Sequence, residues 1–300
     1  MNRAGVAWAL RWALVWLALV CAGPTLASVP DRLATASLHA KYAELGERLR
    51  DNPFQRALYL DSSDAAGALK GDIYALVDHP FATVGAALDD PEDWCEVLIL
   101  HINVKYCRAA PDGAGRMLKV SLGKKSAQDL DDAYGIEFAY RVAAATPRYL
   151  EIRLDAEQGP LSTRDYRIRL QAVPVENGRT FLHLTYSYGY GLAGQLAMQA
   201  YLVTIGSGKV GFTVTGREAD GRPEYIGGMR GVVERNTMRY YLAIDAYLGA
   251  IATPPSARLQ KRLQTWFDAT ERYSRQLHEV GRSAYLDMKR DEYRRQQAAP

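Results

Sequence analysis

Between residues 101 and 188 the chain falls into six strand-like runs, several of which alternate apolar and polar residues. They are His101 to Arg108, Arg116 to Leu122, Ile136 to Ala145, Arg148 to Asp155, Asp165 to Val173 and Thr180 to Tyr188. In the fourth, Leu150, Ile152 and Leu154 point one way, while Tyr149, Glu151, Arg153 and Asp155 point the other, the period-two pattern of a strand with one buried face. Thr146-Pro147 and Glu176-Asn177-Gly178 supply turns between consecutive runs, the second being hairpin chemistry. Strands joined by short turns make an antiparallel sheet, and one apolar face predicts a sheet covered on one side only.

Helical spacing frames this block. Leu38, Tyr42, Leu45 and Leu49 predict a helix over 34–50. Ala68 to Val77 reads as a strand, and Asp78-His79-Pro80 and Asp90-Pro91 each put a capping-competent carboxylate at or just before a Pro, so two short helices are expected to begin there. A short helix from 192 to about 204 and a strand from Lys209 to Thr215 precede a long helix over 228–250, striped by Met229, Val233, Tyr240, Ile244, Tyr247 and Ile251. Thr253-Pro254-Pro255 breaks the chain before a further amphipathic helix marked by Leu259, Leu263, Trp266, Phe267 and Leu277. An Arg/Lys/Gln-rich stretch over 282–297 closes it.

The first 27 residues have another character. Arg3 and Arg11 precede an uncharged run from Trp12 to Ala22 and a small-residue exit ending at Ala27. That is the layout of a cleavable signal peptide, so the mature protein is expected in the periplasm or outside the cell. Acylation of Cys21 is a competing reading, disfavoured by the bulk of Val20. Removing the leader leaves 35 basic and 34 acidic residues, a balance that does not imply nucleic acid.

Two cysteines remain, Cys95 and Cys107. In an oxidising compartment they suggest a disulfide closing a short loop. Free thiols and a metal site with His101 and His79 are the alternatives, although the spacing matches no structural zinc pattern. No metal or cofactor is expected. Gly189-Tyr190-Gly191-Leu192-Ala193-Gly194 is formally a G-x-G-x-x-G, but the strand before it alternates and the upstream sheet is antiparallel, so the glycines are read as a tight turn. No G-x-S-x-G, HExxH or paired-carboxylate motif is present.

The order of these elements resembles the START-like superfamily of lipid-transfer and polyketide-cyclase-related proteins, the helix-grip fold. Leu69 to Leu88, a strand running into a Pro-started helix, and the Trp-bearing start Pro91 to Cys95 carry the local match, and the resemblance spans about residues 66–250. It implies an α+β domain over 34–250 whose curved antiparallel sheet wraps around the long helix, leaving an apolar cavity between them. The N-terminal helix, the insertion near 192–215 and a helical C-terminal extension over 256–297 are departures from it.

The expected function is therefore an exported binder or carrier of a lipid or other apolar small molecule. An enzyme of cyclase or hydrolase type on the same fold, using Asp72, Lys105, Glu137 or Arg141, is one alternative. A protein-interaction module is the other, its C-terminal helices meeting a partner or a membrane surface through their ten basic and six acidic residues between Arg258 and Arg295. Candidate ligand-lining residues are Tyr74, Trp94, Lys105, Tyr140, Arg141, Tyr186, Tyr188, Tyr240 and Tyr241, chosen because tyrosine pairs apolar area with a polar tip. Inward-pointing charges would read a polar head group, and outward-pointing ones would be a solvated sheet face.

Overall fold

A computed structural model describes residues 29–65, 67–113, 115–192, 194–196 and 208–298. The leader and most of the helix expected at 192–204 lie outside these residues. Eight strands form one antiparallel sheet: β1 (Leu58–Ala65), β2 (Ala68–Val77), β3 (Val104–Asp112), β4 (Gly115–Leu122), β5 (Tyr134–Thr146), β6 (Tyr149–Gln158), β7 (Thr163–Pro174) and β8 (Thr180–Tyr190). Their order is β1-β2-β8-β7-β6-β5-β4-β3. Two short helices, α2 (Phe81–Leu88) and α3 (Pro91–Leu98), carry the chain from β2 to the far edge of the sheet. Asp90 caps α3 by accepting the Glu92 N–H at 2.8 Å. At the β7–β8 turn Asn177 and Gly178 adopt left-handed backbone, as the hairpin signal requires.

The long helix α4 (Gly228–Leu248) lies across the concave face, so the molecule is a curved sheet gripping a helix, as expected. Gly71 on β2 marks the tightest approach, since a Cβ there would stand 2.2 Å from Thr237 Oγ1. Inward side chains of the sheet (Leu69, Ile73, Leu118, Ile152, Leu154, Leu170) pack against Val233, Met238, Leu242 and Ile244 of α4 in one core. Cys95 on α3 and Cys107 on β3 form the disulfide that the sequence left open, with Cα atoms 5.2 Å apart. It closes a short loop worth roughly 2–3 kcal/mol in the chain-entropy account.

Three expectations change. The convex face of the sheet is partly covered, because helix α1 (Val29–Arg50) seats Leu38, Leu45 and Leu49 on Tyr149, Val173 and Phe181. The strand expected over 209–215 starts only at Val214; β9 (Val214–Arg217) pairs with β10 (Pro223–Tyr225) in a separate ribbon. Helix α4 is buried around most of its circumference, including Glu234, Arg235 and Arg239. Its second side is covered by α5 (Pro255–Glu271) and α6 (Ser274–Leu277), while α7 (Arg282–Ala298) packs on α5 and along edge strand β3.

Buried ion pairs fasten α7. Lys105 Nζ and Lys289 Nζ, both without solvent exposure, hold the two oxygens of Glu292 at 3.0 and 2.7 Å. Lys289 also donates to the Val104 carbonyl at 2.6 Å, and Gln296 Oε1 accepts the Cys107 N–H at 3.1 Å. The last contact satisfies an edge-strand donor that would otherwise invite another chain.

Candidate functional site

Across the concave face the aliphatic core gives way to a layer of rings. Tyr166 stacks on Tyr188 at 5.1 Å, Tyr188 meets Tyr186 at 5.6 Å, Tyr186 meets Tyr240 of α4 at 5.1 Å, and Tyr240 stacks on His101 at 4.6 Å. Strand parity explains the row, since Tyr186 and Tyr188 on β8 and Tyr166 on β7 all point inward. No ring in the layer is more than 8 % exposed.

The polar tips of this layer are poorly served. Tyr166 is paired with Thr163 at 2.8 Å. No described residue hydrogen-bonds the hydroxyls of Tyr186, Tyr188 or Tyr240; burial, followed by neighbouring phenols, pushes all three well above the usual phenol range. His101 accepts the Asn103 N–H at Nδ1, which puts its own proton on Nε2, and Nε2 has no partner. Burial first, then Arg239, Lys289, Lys125 and Lys105, holds this imidazole well below its ordinary value, so it is neutral at pH 7. A buried donor without an acceptor, as His101 Nε2–H is here, costs about 1–3 kcal/mol.

One end of the layer meets exposed apolar surface. Leu161 and Ser162 in the turn before β7, and Asp165 at a bulge in its first residues, adopt left-handed backbone, a conformation L-residues rarely adopt. Leu161, Leu192 and Leu196 are all more than half exposed, and Gly194 lies against the Leu161 and Ser162 carbonyls, so the three leucines share this end.

Among the described residues the space between the sheet and α4 is packed with side chains. Inward residues of the central strands are almost completely buried, and two depressions lie outside the core, one against α7 and one beside α1. The long helix sits close to the sheet because Gly71 admits Thr237 and because the tyrosines occupy the remaining depth.

The nine candidate residues scatter accordingly. Tyr186, Tyr188 and Tyr240 come together in the ring layer. Trp94 is core, donating Nε1–H to the Leu88 carbonyl at 2.8 Å, and Tyr140 donates to the same carbonyl at 3.3 Å. Tyr241 is buried with Arg56 over its ring, and Lys105 belongs to the α7 fastening. Tyr74 and Arg141 are on the convex face. The acid–base candidates do not converge either: Asp72 is convex, Lys105 is at the β3 edge, and Glu137 pairs with Lys119 at the surface. His101 and Tyr166 joined the site without having been picked out as ligand-lining residues; the inward parity of Tyr166 was the available signal, and His101 had none.

No family model matches the chain, and no curated protein matches it. Among solved structures it is similar to norcoclaurine synthase from Thalictrum flavum (12 % identity, 50 % of this chain and 79 % of that one, TM-score 0.32). It is also similar to the Zhui aromatase/cyclase from Streptomyces sp. R1128 (10 %, 69 % and 96 %, TM-score 0.32). Human StAR-related lipid transfer protein 5 is a third (10 %, 58 % and 90 %, TM-score 0.30). Likeness at this level carries no argument about what this chain binds or does.

Proposed function

We propose that this protein is an exported binder or carrier of a small apolar or amphiphilic molecule, taken up between the sheet and α4 by displacement of the tyrosine layer. The observation that carries the reading is the ring layer itself, in which the His101 Nε2–H is buried without an acceptor and the hydroxyls of Tyr186, Tyr188 and Tyr240 bond no described residue. A packed structural core pairs its polar groups; a ligand site keeps a few for its ligand. The filled interior is then the ligand-free state, and the exposed leucines around Leu161 form the rim at which an apolar molecule first lands. Export follows from the leader read over residues 1–27 and belongs to the proposal.

Conservative substitutions separate this account from ordinary packing. Removing an unpaired hydroxyl should not destabilise the fold, so Tyr186→Phe and Tyr240→Phe are expected to unfold in urea within about 0.5 kcal/mol of the parent, or to be more stable. The same variants are expected to lose several-fold in affinity for the neutral apolar fluorophore N-phenyl-1-naphthylamine. Destabilisation by more than about 1 kcal/mol would show that the hydroxyls are structurally paired, and unchanged uptake would place the probe elsewhere.

A further inference from the structure

The convex face carries a second, independent constellation. Cross-strand register sets Glu151, Gln171, His183 and Tyr74 in one row over β6, β7, β8 and β2. Two residues along the same strands, a parallel row reads Arg141, Arg153, Arg169, Thr185 and Asp72. Hydrogen bonds run through both rows. Lys70 and Thr185 hold Asp72 at 2.8 and 2.7 Å, and Asp72 faces His183 Nε2 at 2.8 Å. His183 Nδ1 meets Gln171 Oε1 at 2.9 Å, Gln171 donates to the Tyr149 hydroxyl at 2.5 Å, and Tyr149 donates to Glu151 at 2.7 Å. Arg153 and Arg169 share the remaining oxygen of Glu151 at 2.6 and 3.3 Å.

This arrangement has an excess of positive charge in a defined place. Gln171 Oε1 and Asp72 Oδ1 lie within hydrogen-bond distance of the two ring nitrogens of His183. Burial would raise the Asp72 carboxyl, but hydrogen bonds from His183, Lys70 and Thr185 outweigh it and hold the group ionised. Three arginines stand directly opposite one another, an arrangement that repels, and Glu151 is the carboxylate that bridges two of them. Arg141 has no ion-pair partner among the described residues.

Beside these rows lies a depression of about 400 Å³ between α1 and the sheet. Its walls are Ala34, Leu38 and Lys41 of α1, and its floor is Tyr74, Gln171 and His183. Tyr74 stacks on His183 at 4.1 Å. Its hydroxyl has no partner among the described residues and stays protonated, pushed up to about 12 by burial and by Asp72, Asp61 and Glu44. Glu44, which pairs with Lys41 at 2.7 Å, is the acidic group on the wall.

We propose that this depression is a binding site for a compact organic anion, a flat or apolar body on Leu38 and Tyr74 with its carboxylate or phosphate turned toward the arginine row. The volume suits a small metabolite. The Tyr74 hydroxyl supplies a donor, and arginines supply planar forks for an oxyanion. The site is on the opposite face of the sheet from the tyrosine layer, so neither reading depends on the other.

Calorimetric titration of the full mature chain with phenyl phosphate, inorganic phosphate and benzyl alcohol tests the site. Phenyl phosphate is expected to bind once per chain, at least roughly tenfold tighter than benzyl alcohol, which lacks the charge, and than inorganic phosphate, which lacks the body. Arg169→Gln leaves Arg153 on Glu151, so the fold is kept, and it should weaken phenyl phosphate several-fold while leaving N-phenyl-1-naphthylamine uptake unchanged. Tyr74→Ala should weaken phenyl phosphate and benzyl alcohol alike. Absence of phenyl phosphate binding, equal affinity for benzyl alcohol, or indifference to Arg169→Gln in a variant with parental circular dichroism would each overturn the proposal.

Discussion

Glu292→Ala is expected to cost about 3–5 kcal/mol, because it leaves Lys105 and Lys289 as two uncompensated ammonium groups in the interior. In a chain of this size that is a fall in Tm on the order of 10 °C. The variant should also expose β3 to hydrogen exchange, since Gln296 and Lys289 are drawn to that strand by the same helix. The cluster has a pH signature as well. Burial lowers the Lys289 ammonium to about 8, whereas lysine in the unfolded chain titrates near 10.4. Between those values the unfolded chain binds more protons, so stability rises with pH across the window. Urea unfolding at pH 7.5 and pH 9.5 should therefore show the parent gaining on Lys289→Met. Staying below pH 10 keeps out the buried tyrosines, whose raised values act with the opposite sign. A smaller loss than about 1 kcal/mol for Glu292→Ala would mean that α7 is not held by this cluster.

Glu234→Ala is the second large effect. This fully buried carboxylate on α4 accepts from the Phe212 and Thr213 N–H groups at 2.5 and 3.0 Å, and from the Ser62 and Thr213 hydroxyls at 2.6 Å each. Alanine leaves four donors without an acceptor, and a loss of about 3 kcal/mol or more is expected. Glu234→Gln should recover only part of it, because its amide nitrogen would face one pair of donors. Hydrogen exchange should report the loss locally at Phe212 and Thr213, ahead of the central strands. If those amides keep parental protection in Glu234→Ala, the carboxylate does not anchor the segment.

These two residues also show where sequence pattern stopped being informative. Strand runs from β4 to β8 were legible because burial on one face imposes period-two alternation, and Asn177-Gly178 announced its turn. Strand β1 was not, since Asp61, Ser62, Ser63 and Asp64 read as a loop. Ser62 points inward because its hydroxyl donates a hydrogen bond to Glu234, a partner 172 residues away. The one-sided stripe of α4 was misleading for a related reason: Glu234, Arg235 and Arg239 look like a solvated face until α5, α6 and the 208–213 segment cover them. Lys105 was ambiguous between Val104 and Tyr106, and only the arrival of Glu292 decides it.

The sites were legible in different measure. Parity along β8 already placed Tyr186 and Tyr188 on one face, and the structure adds Tyr240 and His101 by tertiary packing. The same parity puts Tyr74 with Lys70 and Asp72, away from Ile73 and Ala75, so its convex position was readable from β2 alone. Likewise Tyr149, Glu151 and Arg153 were already grouped on the outer face. What no pattern supplies is register, and register is what sets His183 beside Tyr74 and lines up Arg141, Arg153 and Arg169.

Native mass spectrometry with organic extraction, on full-length protein purified without detergent, is the most direct test of ligand uptake by the tyrosine layer. A stoichiometric apolar or amphiphilic molecule is expected on the parent chain, at reduced occupancy in Tyr186→Phe and Tyr240→Phe. Equal occupancy in those variants, or an empty parent chain that also fails to take up N-phenyl-1-naphthylamine, would contradict it.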